Sequence, residues 1–297
     1  MSDAYFDKVS LCLPMNGSDG GTTFTDWSSV PKTITVYGDT HTEVDQSKYY
    51  GSSGYFDGTG DYLTVSNSTD FDFGTGDFTI RFWVYFSSNS GSQGVFAAHA
   101  LLAGNAAFLF YLVSGELRFY SSSNGSSWDI ASAVVIKASV ASSTWYHIEV
   151  SRVGTSIRLF CDGVLANTIT TSSGLVSTGA NTPSIGQWAT SNYFNGYIQD
   201  LEVHKGAGLH SANFTPPTAL IKTISGTVKD ETSSNVARTV VAFPRLTPTK
   251  LAQSTISDSG TGAFSFTVVD TEHVVLALDN DAGTQYNAIV KDRVAPV

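Results

Sequence analysis

The chain has 297 residues, of which 41% are hydrophobic and only 14% charged, a composition that excludes a disordered polyampholyte and leaves a surface filled by Ser, Thr and Gly. Sixteen Lys and Arg stand against 26 Asp and Glu, for a formal charge of −10; with no basic cluster anywhere, nucleic-acid backbones and anionic membranes are not expected partners. The most apolar run, residues 95–113, is interrupted by His99, Gly104 and Asn105 and cannot supply a bilayer span.

The N-terminus, MSDAYFDKVSLCLPMNGSDG, places acids ahead of its apolar segment and has no basic n-region, so no secretory signal is expected and the chain is read as made in a reducing cytosol. In that reducing setting Cys12 and Cys161 are expected as buried free thiols, although strands distant in sequence can be neighbours and a bridge stays open. Next come β-branched and aromatic runs, at 78–86, 108–112, 145–152 and 156–161, separated by Gly, Ser, Asn and Asp clusters. No amphipathic helix is evident. Asp57-Gly58, Asn124-Gly125, Asp162-Gly163 and Asn195-Gly196 can each supply positive φ at a hairpin turn.

The run FTIRFWVYF puts Phe78, Ile80, Phe82, Val84 and Phe86 on one face and Thr79, Arg81, Trp83 and Tyr85 on the other. The first set is core; aromatics in the second suit a central strand whose outer face is partly covered by loops. Around 213–223 the text changes. Pro216-Pro217 cannot continue a central strand, and beyond it TISGTVKD, TVVAFPR, GAFSFTV, HVVLALD and NAIVKD read as short strands. The expected fold class is therefore all-β, with a large sandwich over residues 1–219 and a small β-sandwich over 220–297.

The segments FDGTGDYLTV (56–65), FGTGDFTIRFWV (73–84), TWYHIEVSR (144–152), IRLFCDG (157–163) and NGYIQDLEV (195–203) resemble, in order and spacing, those of laminin-G-like, concanavalin A-like jelly-roll domains. The ending KGAGLHSANFTPPTA (205–219) resembles the closing segment of such domains in tailed-bacteriophage tail and virion proteins. The tail resembles the carboxypeptidase-regulatory or transthyretin-like sandwich that phage structural proteins carry. The resemblance implies a non-enzymatic virion component at the tail or another exterior position. Its partners would be other virion proteins and a host-surface glycan or protein; a capsid decoration or head-fibre role is the alternative. Such proteins commonly assemble as symmetric homo-oligomers, trimers among them, but no heptad sets the number here.

The chemistry is thin. Asp200-Leu201-Glu202 is the nearest approach to the paired carboxylates of a glycoside hydrolase, and period-2 geometry places both acids on one face. The third acid of the usual pattern is absent, so no catalytic residue is assigned. Six isolated histidines and no CxxC, HExxH or phosphate-loop motif argue against zinc or nucleotide chemistry, and Asp279-Asn280-Asp281 reads as a turn. No cofactor is required. The family resemblance implies a structural Ca²⁺ held by Asp26, Gln199 and Asp200, with Gln199 standing where an acid is expected, which weakens the site. Trp128, Trp188, Asn192 and Tyr193 sit in loop-like text where rings and amides can form a sugar platform; the competing reading has the tryptophans cover sandwich edges or contact subunits.

Overall fold

The computed structural model describes residues 8–98, 105–177, 179, 181–217, 221–227, 239–244, 253–258, 261, 263–269, 273–278 and 289–294. The chain divides into two compact units, Asp7–Thr218 and one made chiefly of Ala219–Val297. Among the described residues there is no α-helix.

The strands of the first unit are, in chain order, β1 (Val9–Leu13), β2 (Ile34–Tyr37), β3 (His41–Glu43), β4 (Ser53–Asp57), β5 (Tyr62–Val65), β6 (Phe78–Phe86), β7 (Ser92–Ala98), β8 (Phe108–Val113), β9 (Glu116–Ser121), β10 (Ala131–Lys137), β11 (Trp145–Val153), β12 (Ser156–Cys161), β13 (Val164–Thr170), β14 (Ser184–Ile185), β15 (Gln187–Trp188), β16 (Asn192–Tyr193) and β17 (Asn195–Lys205). An eight-stranded sheet runs β13-β12-β11-β6-β17-β4-β3, with β1 also paired to β17; a seven-stranded sheet runs β10-β9-β8-β7-β14-β5-β2. Together they form a jelly-roll sandwich.

The alternation of β6 explains the core. Phe78, Ile80, Phe82, Val84 and Phe86 are fully buried between the sheets, and Phe82 meets Phe110 of β8 edge to face at 5.0 Å. Each such ring contributes on the order of 2 kcal/mol by leaving water. The outer side of β6 is covered as well. Lys48 Nζ sits 4.1 Å above the Trp83 ring, and Phe214, from the segment after β17, packs on His147 and Phe160 at 5.8 and 5.3 Å. Gly163, at φ +75°, must be glycine, because a Cβ there would meet the Phe214 carbonyl.

Three of the four expected turns occur, with Gly58, Gly125 and the Asp162-Gly163 pair at positive φ. Asn195-Gly196 instead begins β17. Its glycine is required for close approach rather than for a turn, since a Cβ would meet the Tyr85 carbonyl and come within 2.8 Å of Phe194. Both cysteines are free; Cys12 is buried but Cys161 only half-buried.

The second unit contains β18 (Ile221–Thr227), β19 (Thr239–Pro244), β20 (Gln253–Ile256), β21 (Ala263–Val269), β22 (His273–Leu278) and β23 (Ile289–Val294). They pair as β18-β21 and as an antiparallel sheet β20-β19-β22-β23. Asp258 Oδ1 accepts the N–H of Thr261 at 2.7 Å and closes the turn between β20 and β21. Asp279-Asn280-Asp281 lies outside the described residues.

Candidate functional site

A bulge in β17 decides what its acids can do. Gln199 stands opposite Trp83 and Glu202 opposite Arg81 on β6, so β17 carries one extra residue between them, and Asp200, at φ +50°, absorbs it. The alternation that predicts Asp200 and Glu202 on one face fails here: Gln199 and Glu202 share the outer face, while Ile198 and Leu201 enter the core. Glu202 accepts from Arg81 Nε at 2.5 Å. His204 Nε2 lies 3.0 Å from the same oxygen. Burial raises the Glu202 carboxyl, but Arg81 and His204 outweigh it and hold it at about 2. A carboxyl so sealed and so acidic cannot protonate a leaving group, and Asp200-Glu202 is not a hydrolytic pair.

The expected calcium ligands are occupied by protein donors. Asp26 Oδ1 accepts the N–H groups of Cys12 and Ser28 at 2.9 Å, and Oδ2 accepts Ser28 Oγ and the Lys32 N–H. Gln199 Oε1 accepts the N–H groups of Lys48 and Tyr49 at 2.8 and 2.9 Å, and Asp200 Oδ1 accepts the Tyr50 hydroxyl at 2.6 Å. With hydrogens aimed at these oxygens and an amide in place of an acid, the set does not fit a calcium ion; it ties two loops to the sheet instead. The acids that do converge are Asp39, Asp57 and Asp61, each with an oxygen within 4.8 Å of the others. Asp61 is buried and accepts the N–H groups of Asp39 and Asp57 at 2.8 and 3.0 Å. Burial, with the Asp39 and Asp57 carboxyls adding to it, pushes its own carboxyl up to about 6. No ordered pattern in the text singled these acids out, because they come from two separate turns.

The outer face of the seven-stranded sheet differs in kind. Ala97, Ala106 and Leu109 form a small apolar floor there, on which the half-buried rings of Tyr111, Tyr120, Trp128 and Trp188 pack. The rings form a continuous row: Tyr111 to Tyr120 at 6.2 Å, Tyr120 to Trp128 at 5.3 Å, and Trp128 to Trp188 at 6.0 Å. Trp188 reaches this row from a short hairpin, β15-β16, whose backbone rests on β7 at Gly94; a Cβ on Gly94 would come within 2.5 Å of Trp188 Cβ. The segment that leads to Trp128 is rich in hydroxyls and amides bonded to one another. Asn124 Oδ1 accepts the N–H groups of Ser126 and Ser127 at 2.8 and 2.9 Å, and Asp129 is taken up by Ser122 and Ser123. Hydrogen bonds from Ser123 lower the Asp129 carboxyl below its ordinary range.

The structure thus brings Trp128 and Trp188 together and separates the other two expected residues. Asn192 stands opposite Trp188 and Tyr193 opposite Gln187 in the hairpin, so alternation puts Asn192 on the Trp188 side and Tyr193 on the other. Tyr193 joins a second group, with Tyr62 at 6.3 Å and Tyr62 stacked on Tyr37 at 4.3 Å. Tyr111, Tyr120, Tyr62 and Tyr37 were not anticipated, yet period 2 in FLFYLV and ELRFYS would have marked Tyr111 and Tyr120 as facing away from the core.

A family model, described as the concanavalin A-like lectin/glucanases superfamily, matches residues 57–209, the span that contains both aromatic groups except Tyr37. The chain belongs to this superfamily. No curated protein sequence matches it. Among solved structures, the binding domain of botulinum neurotoxin DC, in complex with rat synaptotagmin II, superposes with a TM-score of 0.52 at 12% identity, covering 98% of this chain and 79% of that one. A botulinum neurotoxin type C structure gives 0.51 at 14% identity, covering 99% and 80%. The binding domain of Paraclostridial Mosquitocidal Protein 1 gives 0.53 at 11% identity, covering 97% and 76%. At such identities the likeness establishes a shared fold; function has to be argued from the site.

Proposed function

We propose that this protein is a non-enzymatic binding protein of a tailed-bacteriophage virion, exposed at the tail or another exterior position, which adheres to a host-surface glycan. The observation that carries the binding role is the row of four rings on the outer face of the seven-stranded sheet, closed by the Trp128–Trp188 contact at 6.0 Å. Aromatic faces stack against the C–H side of sugar rings, while the neighbouring Ser and Asn groups can satisfy hydroxyls. The buried, ion-paired state of Glu202 removes the carboxylate pair that the β17 sequence offered for acid catalysis.

Two further points support the reading. The cell entry of botulinum neurotoxin type C, whose structure shares the fold, is dependent upon interaction with two ganglioside molecules. The closing segment 205–219 and the C-terminal unit, read as a transthyretin-like attachment or assembly domain, resemble parts of phage virion proteins. The test has two arms. Cryo-electron microscopy of particles should place the two units on the virion exterior, and absence of the chain from purified particles would end the virion assignment. Binding of the full chain to a glycan array should be lost in Trp128→Ala and Trp188→Ala; retained binding in both would remove the ring row as its basis.

A further inference from the structure

Both aromatic groups lie on one face of one sheet. Tyr120 is on β9, Tyr111 on β8, Tyr62 on β5 and Tyr37 on β2, and the β15-β16 hairpin stands over β7 between them. In the sheet order the rings therefore run across the strands, from β9 to β2, over five strand spacings or about 24 Å. Trp188 leans from the hairpin toward one group and Tyr193 toward the other. That span exceeds a single sugar several times over.

The geometry and charge narrow the ligand further. Successive rings are tilted by 77°, 56° and 51°, so they form steps and cannot lie flat on a crystalline polysaccharide surface; a single, twisting chain suits them. Arg118, the basic side chain beside Tyr120, is paired with Glu116 at 2.7 Å, and Asp129 is consumed by its serines. With a formal charge of −10 for the chain and this arginine already paired, an anionic glycan would gain no countercharge from it and meet net repulsion. A protein partner is less well matched, because among the rings of the two groups only Tyr37, 40% accessible, is openly exposed, and the half-buried steps offer little of the continuous apolar area that a protein interface core needs.

We infer that the two aromatic groups are subsites of one extended site, which binds a single soluble, uncharged glycan chain of several units lying across the seven-stranded sheet and astride the β15-β16 hairpin. This rests on the glycan-binding reading above and specifies its ligand class. Linking two weak subsites through one chain makes the second contact intramolecular, so affinity must climb steeply with ligand length.

The experiment is calorimetric titration of the full chain with cello-, malto- and N-acetylchito-oligosaccharides from disaccharide to hexasaccharide, alongside sialyllactose and insoluble crystalline cellulose. In the matching series the affinity should rise by about tenfold or more from disaccharide to hexasaccharide. Tyr62→Ala should abolish that gain with length. Trp188→Ala should weaken every length. Thermal unfolding of each variant checks that the fold persists. Equal affinity for short and long chains, with Tyr62→Ala silent, would overturn the extended site and leave the glycan reading standing. Binding of sialyllactose or crystalline cellulose in preference to the soluble neutral chains would overturn the assigned ligand class. No saccharide binding at all, or a concentration-dependent dimer broken by Trp128→Ala, would overturn both.

Discussion

The two outer faces of the sandwich spend their large side chains in opposite ways. On the eight-stranded sheet, Arg81, Trp83, His147, Glu149, Glu202 and His204 are all buried, sealed beneath the loop bearing Lys48 and Tyr49 and the segment bearing His210 and Phe214. Glu149 Oε1 bonds His210 Nδ1 at 2.8 Å, which pins that segment down. On the seven-stranded sheet, Tyr111, Tyr120, Trp128 and Trp188 are only half-buried. The first face is chemically rich and structurally committed; the second is chemically plain and accessible. Polar residues on a sheet face are thus a poor guide to a binding site unless their cover is known.

The contrast predicts its largest effect at Glu202. Truncation to alanine removes the carboxylate that faces the buried Arg81 guanidinium, and breaking a buried ion pair by deleting one member costs about 3–5 kcal/mol. Urea unfolding of Glu202→Ala measures this directly; a loss below about 1 kcal/mol would mean the face is wetter than its burial indicates. The double change Arg81→Met with Glu202→Leu should recover most of the stability, since the pair is replaced by apolar volume.

Acid should act on the same face. Burial first, and then the nearby Arg81 charge, lowers the His147 imidazole to about 3, and Glu202 is held at about 2. Both folded-state values lie below the unfolded ones, about 6.5 for His and 4.3 for Glu. The stability these groups confer is therefore complete above pH 6.5 and is lost as pH falls toward 3 and then 2. Asp61 works the other way. Its carboxyl, raised to about 6, makes the folded state bind a proton earlier, so its contribution grows as pH falls from about 6 toward 4. Melting temperatures of His147→Phe and Asp61→Asn across this range separate the two: the first should flatten the acid slope between 6.5 and 3, and the second should steepen the net loss below 6. Parallel profiles for both variants and the parent would refute the assignment.

Much of the eight-stranded face was legible because it depends on one long strand. FTIRFWVYF fixes which residues enter the core by period alone, and its second aromatic set correctly implied cover. The acids of β17 were misread for a physical reason: a bulge at Asp200 shifts the alternation by one, and nothing in NGYIQDLEV marks where the extra residue falls. The Trp128–Trp188 contact joins loops 60 residues apart in the numbering and depends on a hairpin lying over Gly94, a tertiary arrangement to which local sequence is blind. Tyr193 was grouped with the tryptophans on proximity in the text, whereas alternation in the hairpin turns it to the other side.

Gly94 offers a way to break the second face without touching a ring. Its Cβ position is filled by the hairpin backbone, within 2.6 Å of the Gln187 carbonyl carbon, and backbone cannot move aside as a flexible side chain can. Gly94→Ala should cost about 1–3 kcal/mol through overpacking and lift Trp188 away from Trp128. A red shift in tryptophan emission with loss of glycan binding is the expected signature. Unchanged emission would mean the hairpin does not depend on this contact.

The smallest effect sharpens the comparison most. Trp83 and Trp128 are the same residue on opposite faces. Trp83→Ala empties a buried site that holds His147 at 5.2 Å and Tyr49 at 5.8 Å, so it should lose about 3–5 kcal/mol. Trp128→Ala removes a ring from a half-buried row where water can take its place, and should stay within about 1 kcal/mol. If the row is a binding surface, Trp128→Ala must nevertheless abolish glycan binding while the fold melts almost unchanged. If instead Trp128→Ala destabilises as severely as Trp83→Ala, the row is a second structural seam of the sandwich, and the distinction between the two faces disappears.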